Sequence, residues 1–261
     1  LLNVYVGTPF EEAHPKAEAA AIKGLQLDET LAEAHTSLAR ISFYRSDWSG
    51  TEKEFKRAVE LNPSYATAHH WYGQYLSALG RHAEAIEEAK RARELDPLSP
   101  IITTDLGSSF YWARRYDEAI EQFRKVIELE PSFFWAHLRL CQALVQNGMF
   151  EEGFIVCERA ITLSERSRYS LGMLGFAYAM AGRRVAALQV LNEMEKERER
   201  GLIFKAIIYS GLGQKDEAIA LLERAYAKHG ALTFIKVDPK FDPLRSEPRF
   251  QDLVRRMNFP E

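Results

Sequence analysis

Apolar and polar positions alternate along this chain with the spacing of amphipathic helices, and the helical stretches come in pairs. Leu106 and Phe110 lie one turn apart on one stretch, and Ala119 and Phe123 repeat that spacing on the next. Short breaks such as the one at Gly80 separate the two members of a pair, because glycine adopts the left-handed conformation that ends a helix. The pattern therefore predicts helix–turn–helix units.

The helical pairs recur with a period of 34 residues. Pro63, Pro97 and Pro131 stand 34 residues apart, each at the end of a second helix, where proline stops the helix because it lacks an amide proton. Small side chains recur in two columns at the same step, apart from one step of 31 residues before the last unit. The first column is Thr51, Ala85, Ala119, Gly153, Ala187 and Ala218, and the second is Ala39, Gly73, Gly107, Cys141, Gly175 and Ala206. Small residues let paired helices approach closely, so a stack of antiparallel helix pairs is predicted.

This unit resembles the tetratricopeptide repeat, most clearly from Ala66 through Gly73, Gly80 and Ala85 to Pro97. The resemblance implies an all-α, right-handed superhelical solenoid of antiparallel helix pairs, with about six repeats, a truncated N-terminal half-repeat and a C-terminal cap. The expected boundaries are 1–30 for the truncated repeat, 31–228 for the array and 229–261 for the capping segment, with units near 32–65, 66–99, 100–133, 134–167, 168–198 and 199–228.

Both ends of the array depart from the period. Residues 15–27 resemble the second helix of a truncated repeat, with residues 1–14 as the remains of its first helix and a longer loop. At the other end, Phe250, Leu253, Val254 and Met257 form an apolar helical stripe. That stripe suits a cap, because an open solenoid end exposes apolar surface that must be covered. The alternative is that this tail occupies the groove as an autoinhibitor.

Residues 236–250 also resemble the closing segment of repeat arrays in large bacterial signalling proteins. In those proteins the array follows a DNA-binding, nucleotide-cyclase or kinase domain, and no such domain is recognisable in these 261 residues. The resemblance implies a regulatory or sensory arm of a larger bacterial signalling protein, whose output domain is expected upstream of Leu1.

In the tetratricopeptide family the first helix of each pair lines the concave face, and positions two, five, nine, twelve and thirteen point inward. The predicted peptide-binding groove is accordingly Arg40, Phe43, Tyr44, His70, Gln74, Ser108, Tyr111, Trp112, Trp135, Leu138, Gln142, Phe176 and Met180. Its aromatics and amides favour a peptide or helix with apolar anchors. For any single aromatic, the alternative is that it fills a gap between repeats. Asp105 falls where chaperone-binding members clamp a carboxylate, and its negative charge disfavours that kind of ligand.

Charge and cysteine content narrow the function classes. With 34 basic and 37 acidic residues and a formal net charge of −3, direct nucleic-acid binding is not expected. No apolar run approaches the roughly 20 residues that span a bilayer, so no membrane association is expected. Cys141 and Cys157 are too few for a disulfide framework, which favours a cytoplasmic location and buried free thiols. A redox pair is the alternative.

Sequence patterns typical of catalysis or metal binding are not found. His35, His69 and His137 recur at one repeat position, and packed helices lie about 10 Å apart, so these side chains cannot share a zinc ion with bonds of about 2 Å. A structural role is predicted for them. We expect no catalytic residues, no cofactor and no metal, and therefore no enzyme activity. The leading prediction is a protein–protein interaction module. The alternative is a self-associating structural scaffold, forming a homodimer through exposed array ends.

Overall fold

The structure is a computed structural model that describes residues 10–195, 201–228 and 232–260, and the regular elements in these ranges are all helical. Helix α1 spans Phe10–Leu27 and precedes repeat 1. Repeats 1 to 6 are the pairs α2 (Ala32–Tyr44) and α3 (Trp48–Leu61), α4 (Ala66–Leu79) and α5 (His82–Leu95), α6 (Pro100–Trp112) and α7 (Tyr116–Leu129), α8 (Phe134–Gln146) and α9 (Phe150–Leu163), α10 (Arg168–Met180) and α11 (Arg184–Met194), and α12 (Leu202–Gly211) and α13 (Lys215–Ala227). A 3₁₀ helix (Pro239–Leu244) and α14 (Pro248–Arg256) follow. The predicted all-α solenoid is confirmed.

The turn inside each repeat uses one residue with positive φ. Gly80 (φ 84°) serves in repeat 2 and Gly148 (φ 77°) in repeat 4, where the absent Cβ removes the steric penalty of the left-handed region. Repeats 1 and 3 place Ser46 (φ 59°) and Arg114 (φ 63°) there instead. An arginine in this region is uncommon, and Arg114 has contacts, described below, that hold it in place.

The columns of small residues lie where paired helices touch. A Cβ on Gly107 would stand 2.5 Å from a ring carbon of Phe123, and Phe123 is itself fully buried. At Gly175 the equivalent Cβ would stand 2.4 Å from Ile208 in the next repeat. Each repeat packs against the one before and the one after it, so close approach at these columns sets both the pairing within a repeat and the stacking between repeats.

Helix α1 packs against α2 at the start of the array, and Glu18 accepts a bidentate bond from Arg45 at 2.6 and 2.7 Å. Residues 1–9, which were expected to belong to the truncated repeat, lie outside the described residues.

The recurring histidines tie each repeat to the loop before it. Nε2 of His35, His69 and His137 lies 3.0, 3.0 and 2.9 Å from the carbonyl oxygen six residues earlier in the chain. Nδ1 of His35 and of His69 also lies within 2.6 Å of a glutamate on the second helix of the same repeat. These contacts give the three histidines the structural role that their periodicity predicted, and the described residues contain no cluster of metal ligands.

Cys141 and Cys157 are joined in a disulfide, so the prediction of free thiols is wrong. Cys141 belongs to the second column of small residues, on α8, and Cys157 lies on α9 at the position that Phe123 holds in repeat 3. Packing of these two helices brings their Cα atoms to 5.2 Å. That separation lies within the range that disulfides span. Sequence spacing alone did not show that the two cysteines face each other.

Candidate functional site

The concave face of the solenoid encloses a cavity of about 1000 Å³. The first helices of all six repeats contribute to its wall, together with α1 and the segment after α13. The wall combines several aromatic rings with a small set of polar groups, as in sites that bind ligands. The polar, charged and large apolar side chains that the first helices contribute to this wall include Arg40, Tyr44, His70, Trp71, Gln74, Asp105, Trp135, Leu138, Arg139, Gln142, Tyr169, Met173 and Phe204.

Residues 232–259, here called the C-terminal strap, cross the C-terminal ends of the first helices. Phe234 stacks on Trp112, with ring centroids 4.1 Å apart and planes 8° from parallel, and it meets Phe43 edge to face at 6.3 Å. Arg114 donates to the Val237 carbonyl at 2.7 Å and to both oxygens of Asp242 at 2.8 and 3.1 Å. These contacts explain why an arginine occupies the strained turn position in repeat 3.

The far end of the strap reaches repeat 1. The Trp48 indole donates to the Met257 carbonyl at 2.9 Å, and Phe259 stacks on the same indole with centroids 4.5 Å apart. The strap is also fastened to the last repeat, where Ser210 donates to the Lys240 carbonyl at 2.7 Å and Tyr226 to the Arg256 carbonyl at 3.1 Å. It therefore joins the first complete repeat to the last.

The strap both caps the array and covers part of the groove. Phe250, Leu253 and Met257 of the predicted apolar stripe are buried in the same cluster as Leu222 of repeat 6, and Val254 packs against that cluster. The strap residues Phe234, Ile235 and Phe241 meanwhile line the cavity. The tail therefore caps the array and also forms part of the groove wall.

The strap leaves the cavity open at the other ends of the first helices. Position two of repeats 1 to 5, at the N-terminal end of each first helix, lines the cavity: Glu33, Thr67, Ile101, Trp135 and Tyr169. A ligand would therefore enter past these residues and meet the strap at the opposite side.

A chain of polar contacts links the first helices of repeats 1, 2 and 3 inside the cavity. Arg40 donates to Gln74 Oε1 at 2.6 Å and to the Tyr44 hydroxyl at 2.8 Å. Gln74 donates to Asp105 Oδ2 at 2.5 Å, and His70 Nε2 lies 2.6 Å from the same oxygen. Polar side chains of neighbouring repeats thus serve as hydrogen-bond partners for one another across the cavity wall.

The charge of Asp105 is satisfied within this network. Burial by itself would raise the pKa of the Asp105 carboxyl, but the hydrogen bond from His70 and the nearby positive charges of His70, Arg139 and Arg40 outweigh burial, and its pKa is lowered. The expectation that Asp105 would repel an acidic ligand treated it as a free charge, and the structure pairs it instead.

A second buried ion pair lies under the strap. Lys240 Nζ stands 2.7 Å from Asp238 Oδ2 and 5.5 Å from the Tyr111 ring centroid. Burial lowers the pKa of the Lys240 ammonium, while Asp238 opposes this change. Burial also raises the pKa of the Tyr111 phenol well above its usual range. Side chains of the strap therefore fill the C-terminal part of the groove.

The structure brings seven of the predicted groove residues to the cavity wall: Arg40, Tyr44, His70, Gln74, Trp135, Leu138 and Gln142. Phe43, Tyr111 and Trp112 lie beneath the strap instead. Ser108 and Phe176 are buried between helices, and Met180 lies away from the cavity near the end of α10. Positions twelve and thirteen of repeat 3 are lost from the cavity because the strap covers the end of α6, whereas Tyr44, at position thirteen of repeat 1, stays on the wall.

One column of the wall was missed from the sequence. Position six of repeats 1 to 5 lines the cavity throughout, as Ser37, Trp71, Asp105, Arg139 and Met173. These residues repeat at the same step of 34 as the columns that were recognised, but their chemistry differs from repeat to repeat. A search of each helical position for variable, bulky or charged residues would have found them.

Several tetratricopeptide-repeat family models match this sequence, at residues 36–100, 114–148, 169–193 and 200–227. Together the matches cover more than half of the chain and fall on the helical pairs described above. No curated protein matches the sequence significantly.

Solved structures with the same architecture are similar over most of this chain. A tetratricopeptide repeat protein from Parabacteroides merdae aligns with a TM-score of 0.68 at 13% identity, covering 95% of this chain and 93% of that one. PilW, a type IV pilus biogenesis factor, aligns at 0.64 and 18% identity, covering 73% and 88%. PilF of Pseudomonas aeruginosa aligns at 0.56 and 18% identity, covering 80% and 96%. At these identities the likeness shows the fold alone. Family matches, helical period and solenoid architecture agree, and the chain belongs to the tetratricopeptide-repeat proteins.

Proposed function

We propose that this protein binds a segment of a partner protein in the cavity of its concave face. The observation that carries the proposal is the pre-formed cavity of about 1000 Å³, which remains open at one side although the strap closes the other. Its aromatic side chains supply large contact areas at low entropic cost, and its polar groups are held in place by contacts to one another. Tetratricopeptide repeats serve as scaffolds for protein interaction, and no catalytic role is proposed.

The shape of the cavity favours a short segment over a folded partner. The strap limits the free wall to the N-terminal and middle positions of the first helices, so a long helix lying along the entire groove would collide with Phe234 and Phe241. A helix with its side chains is about 10–12 Å wide. An extended peptide or a single helical turn fits the remaining space better.

Filling the cavity tests the proposal. A Ser37→Trp variant places an indole among the lining residues, whereas Thr162→Trp adds the same group on the exposed face of α9. The two positions are matched, because each native hydroxyl donates to the carbonyl four residues earlier. Peptides selected from a random phage-displayed library on the folded protein should bind the wild type and Thr162→Trp equally, and should lose affinity for Ser37→Trp by tenfold or more, about 1.4 kcal/mol. Selection of no saturable binder, or equal binding to both variants, would refute the proposal.

We further propose that the array is the regulatory or sensory arm of a larger signalling protein, supported by the resemblance of residues 236–250 to the closing segment of such arrays. The sequence that precedes Leu1 in the complete gene tests this, and an upstream region without an output domain would count against it.

A cytoplasmic location remains part of this proposal, and it requires the Cys141–Cys157 bond to be reduced in the cell, because cytosolic thiols are kept reduced. Alkylation of thiols during lysis, followed by mass spectrometry, decides the point. Blocked thiols at both cysteines agree with the cytoplasm, and an intact disulfide places the protein in an oxidising compartment.

A further inference from the structure

The strap is an extended segment bound to the solenoid, and its contacts show which kinds of side chain the repeats can bind. Where it crosses repeat 3, it places the Phe234 ring flat on Trp112 and the Asp242 carboxylate on the Arg114 guanidinium. An aromatic anchor and an acid, eight residues apart in one segment, are thus held by an aromatic residue and an arginine at neighbouring positions of one repeat.

The uncovered part of the concave face offers the same pair of groups. The Arg40 guanidinium lies over the Tyr44 ring at 4.7 Å and near the Trp71 ring at 5.3 Å. Arg139 follows in repeat 4, on the same helix as Trp135, and both line the cavity. Aromatic rings beside arginines therefore recur where the strap does not reach.

These two arginines differ from Arg114 in having no acidic partner. The acceptors of Arg40 are Gln74 and Tyr44, and the acceptor of Arg139 is Gln142, so all are neutral. Within the described part of the chain, neither guanidinium has a carboxylate oxygen within the 4.0 Å of an ion pair. Their charges face the cavity without a direct ion pair, although Asp105 attracts both of them through space.

The carboxylates that share the wall make their direct contacts with other groups. Asp105 is engaged by His70 and Gln74, and Asp238 is engaged by Lys240. Glu33 and Asp96 lie at the open side of the cavity and are exposed to solvent, where water and salt screen their charges. In a confined site of low dielectric constant, an unpaired guanidinium attracts an anion strongly.

We propose that the cavity recognises an extended partner segment in which an acidic side chain stands near an aromatic or aliphatic anchor, with the carboxylate bound by Arg40 or Arg139. The inference rests on the proposed function and adds the chemistry of the partner. The partner carries an internal acid, as the strap does with Asp242, and the apolar anchor packs on the rings of Trp71, Trp135 or Tyr169.

A positional peptide library tests this chemistry directly. The library consists of C-terminally amidated octapeptides that carry fluorescein on the N-terminal amine and have one position fixed as Glu, Gln, Lys or Phe. Binding to the 261-residue chain is measured by the anisotropy of the labelled peptides. Two variants are compared with the wild type. Arg40→Gln/Arg139→Gln removes both cavity guanidinium groups, and Arg91→Gln/Arg124→Gln removes two arginines from exposed sites on second helices. The net charge changes equally in both, and circular dichroism confirms that each variant is folded.

We expect pools with fixed Glu to bind about tenfold more tightly than pools with fixed Gln, the size of one charge-assisted hydrogen bond. The cavity variant should lose this preference and keep its preference for Phe, while the control variant retains both.

Pools with a fixed Phe that bind without any preference for Glu would overturn this inference and leave the proposed function standing. Equal Glu preference in the cavity variant would do the same. Failure of every pool to bind would refute the proposed function and this inference with it. A repeat with free C-terminal carboxylates shows whether the terminus substitutes for the acid; affinity that depends only on the free terminus contradicts an internal acid.

Discussion

Replacing Phe234 with alanine should detach the middle of the C-terminal strap from repeat 3. The ring is partly buried between Trp112, on which it stacks at 4.1 Å, and Phe43, at 6.3 Å. A fully buried phenylalanine costs about 3–5 kcal/mol when truncated to alanine. Because Phe234 keeps some exposure to solvent, we expect Phe234→Ala to lower the free energy of unfolding by about 2 kcal/mol.

Urea unfolding followed by far-UV circular dichroism measures this change, and a double-mutant cycle with Trp112→Ala isolates the stacking energy. The coupling should be about 1 kcal/mol, as for other aromatic pairs. Leu129→Ala, at a side chain that is 79% exposed, serves as the control and should change stability by less than about 0.5 kcal/mol.

Hydrogen exchange locates the change. The amides of Val237 and Asp238 both donate to the Phe234 carbonyl, and in Phe234→Ala they should exchange faster while amides in α4 and α5 keep their protection. A variant as stable as the wild type, with strap amides fully protected, would show that the ring stack does not hold the strap and that the closed cavity has another cause.

Three further predictions concern packing, the disulfide and pH. Gly107→Ala should destabilise the protein by about 2 kcal/mol, because the added Cβ meets the buried Phe123 ring at 2.5 Å; thermal unfolding that shows stabilisation, as helix propensity alone would give, contradicts this packing. Reducing the Cys141–Cys157 bond, which closes a loop of 16 residues, should cost about 3 kcal/mol of stability in urea; equal midpoints with and without reductant would show that the bond adds nothing. Burial raises the pKa of Tyr72 from 10.0 to about 12, so the folded state holds this proton more tightly and stability should fall as pH rises through that window. In Tyr72→Phe the fall should be shallower in urea titrations over the same range, and an unchanged slope would rule out Tyr72 as a contributor.

The repetitive part of the fold could be predicted from the sequence because each repeat contacts mainly its neighbours. The prolines mark the ends of second helices, and Gly107 and Gly175 mark helix contacts, since both constraints act over short distances and recur at one step. The same periodicity predicted a structural role for His69, whose ring contacts the loop before its own repeat in the structure. Structure that depends on contacts within a repeat or between neighbouring repeats can therefore be predicted from sequence patterns.

The candidate site could be predicted only in part, because the strap belongs to no period. Nothing at Trp112 in the sequence indicates that Phe234, far along the chain, covers it. The inward-facing positions of the tetratricopeptide family therefore predicted that Trp112 and Tyr111 line the open groove, whereas the structure places them under the strap. Asp105 was read as a free charge for a similar reason, since its partners His70 and Gln74 come from the preceding repeat.

The contact between Trp48 and Met257 joins residues 209 positions apart, and this has a consequence for how the chain folds and unfolds. In an open array of repeats, stability is nearly a sum of nearest-neighbour terms, and the end repeats can fray independently. Tying repeat 1 to the tail that closes repeat 6 couples the two ends, so loss of either one also removes the contacts of the other. The array should then unfold with greater cooperativity than its helical content suggests, and it should fold more slowly, because closing so long a loop raises the contact order of a fold otherwise made of local pairings.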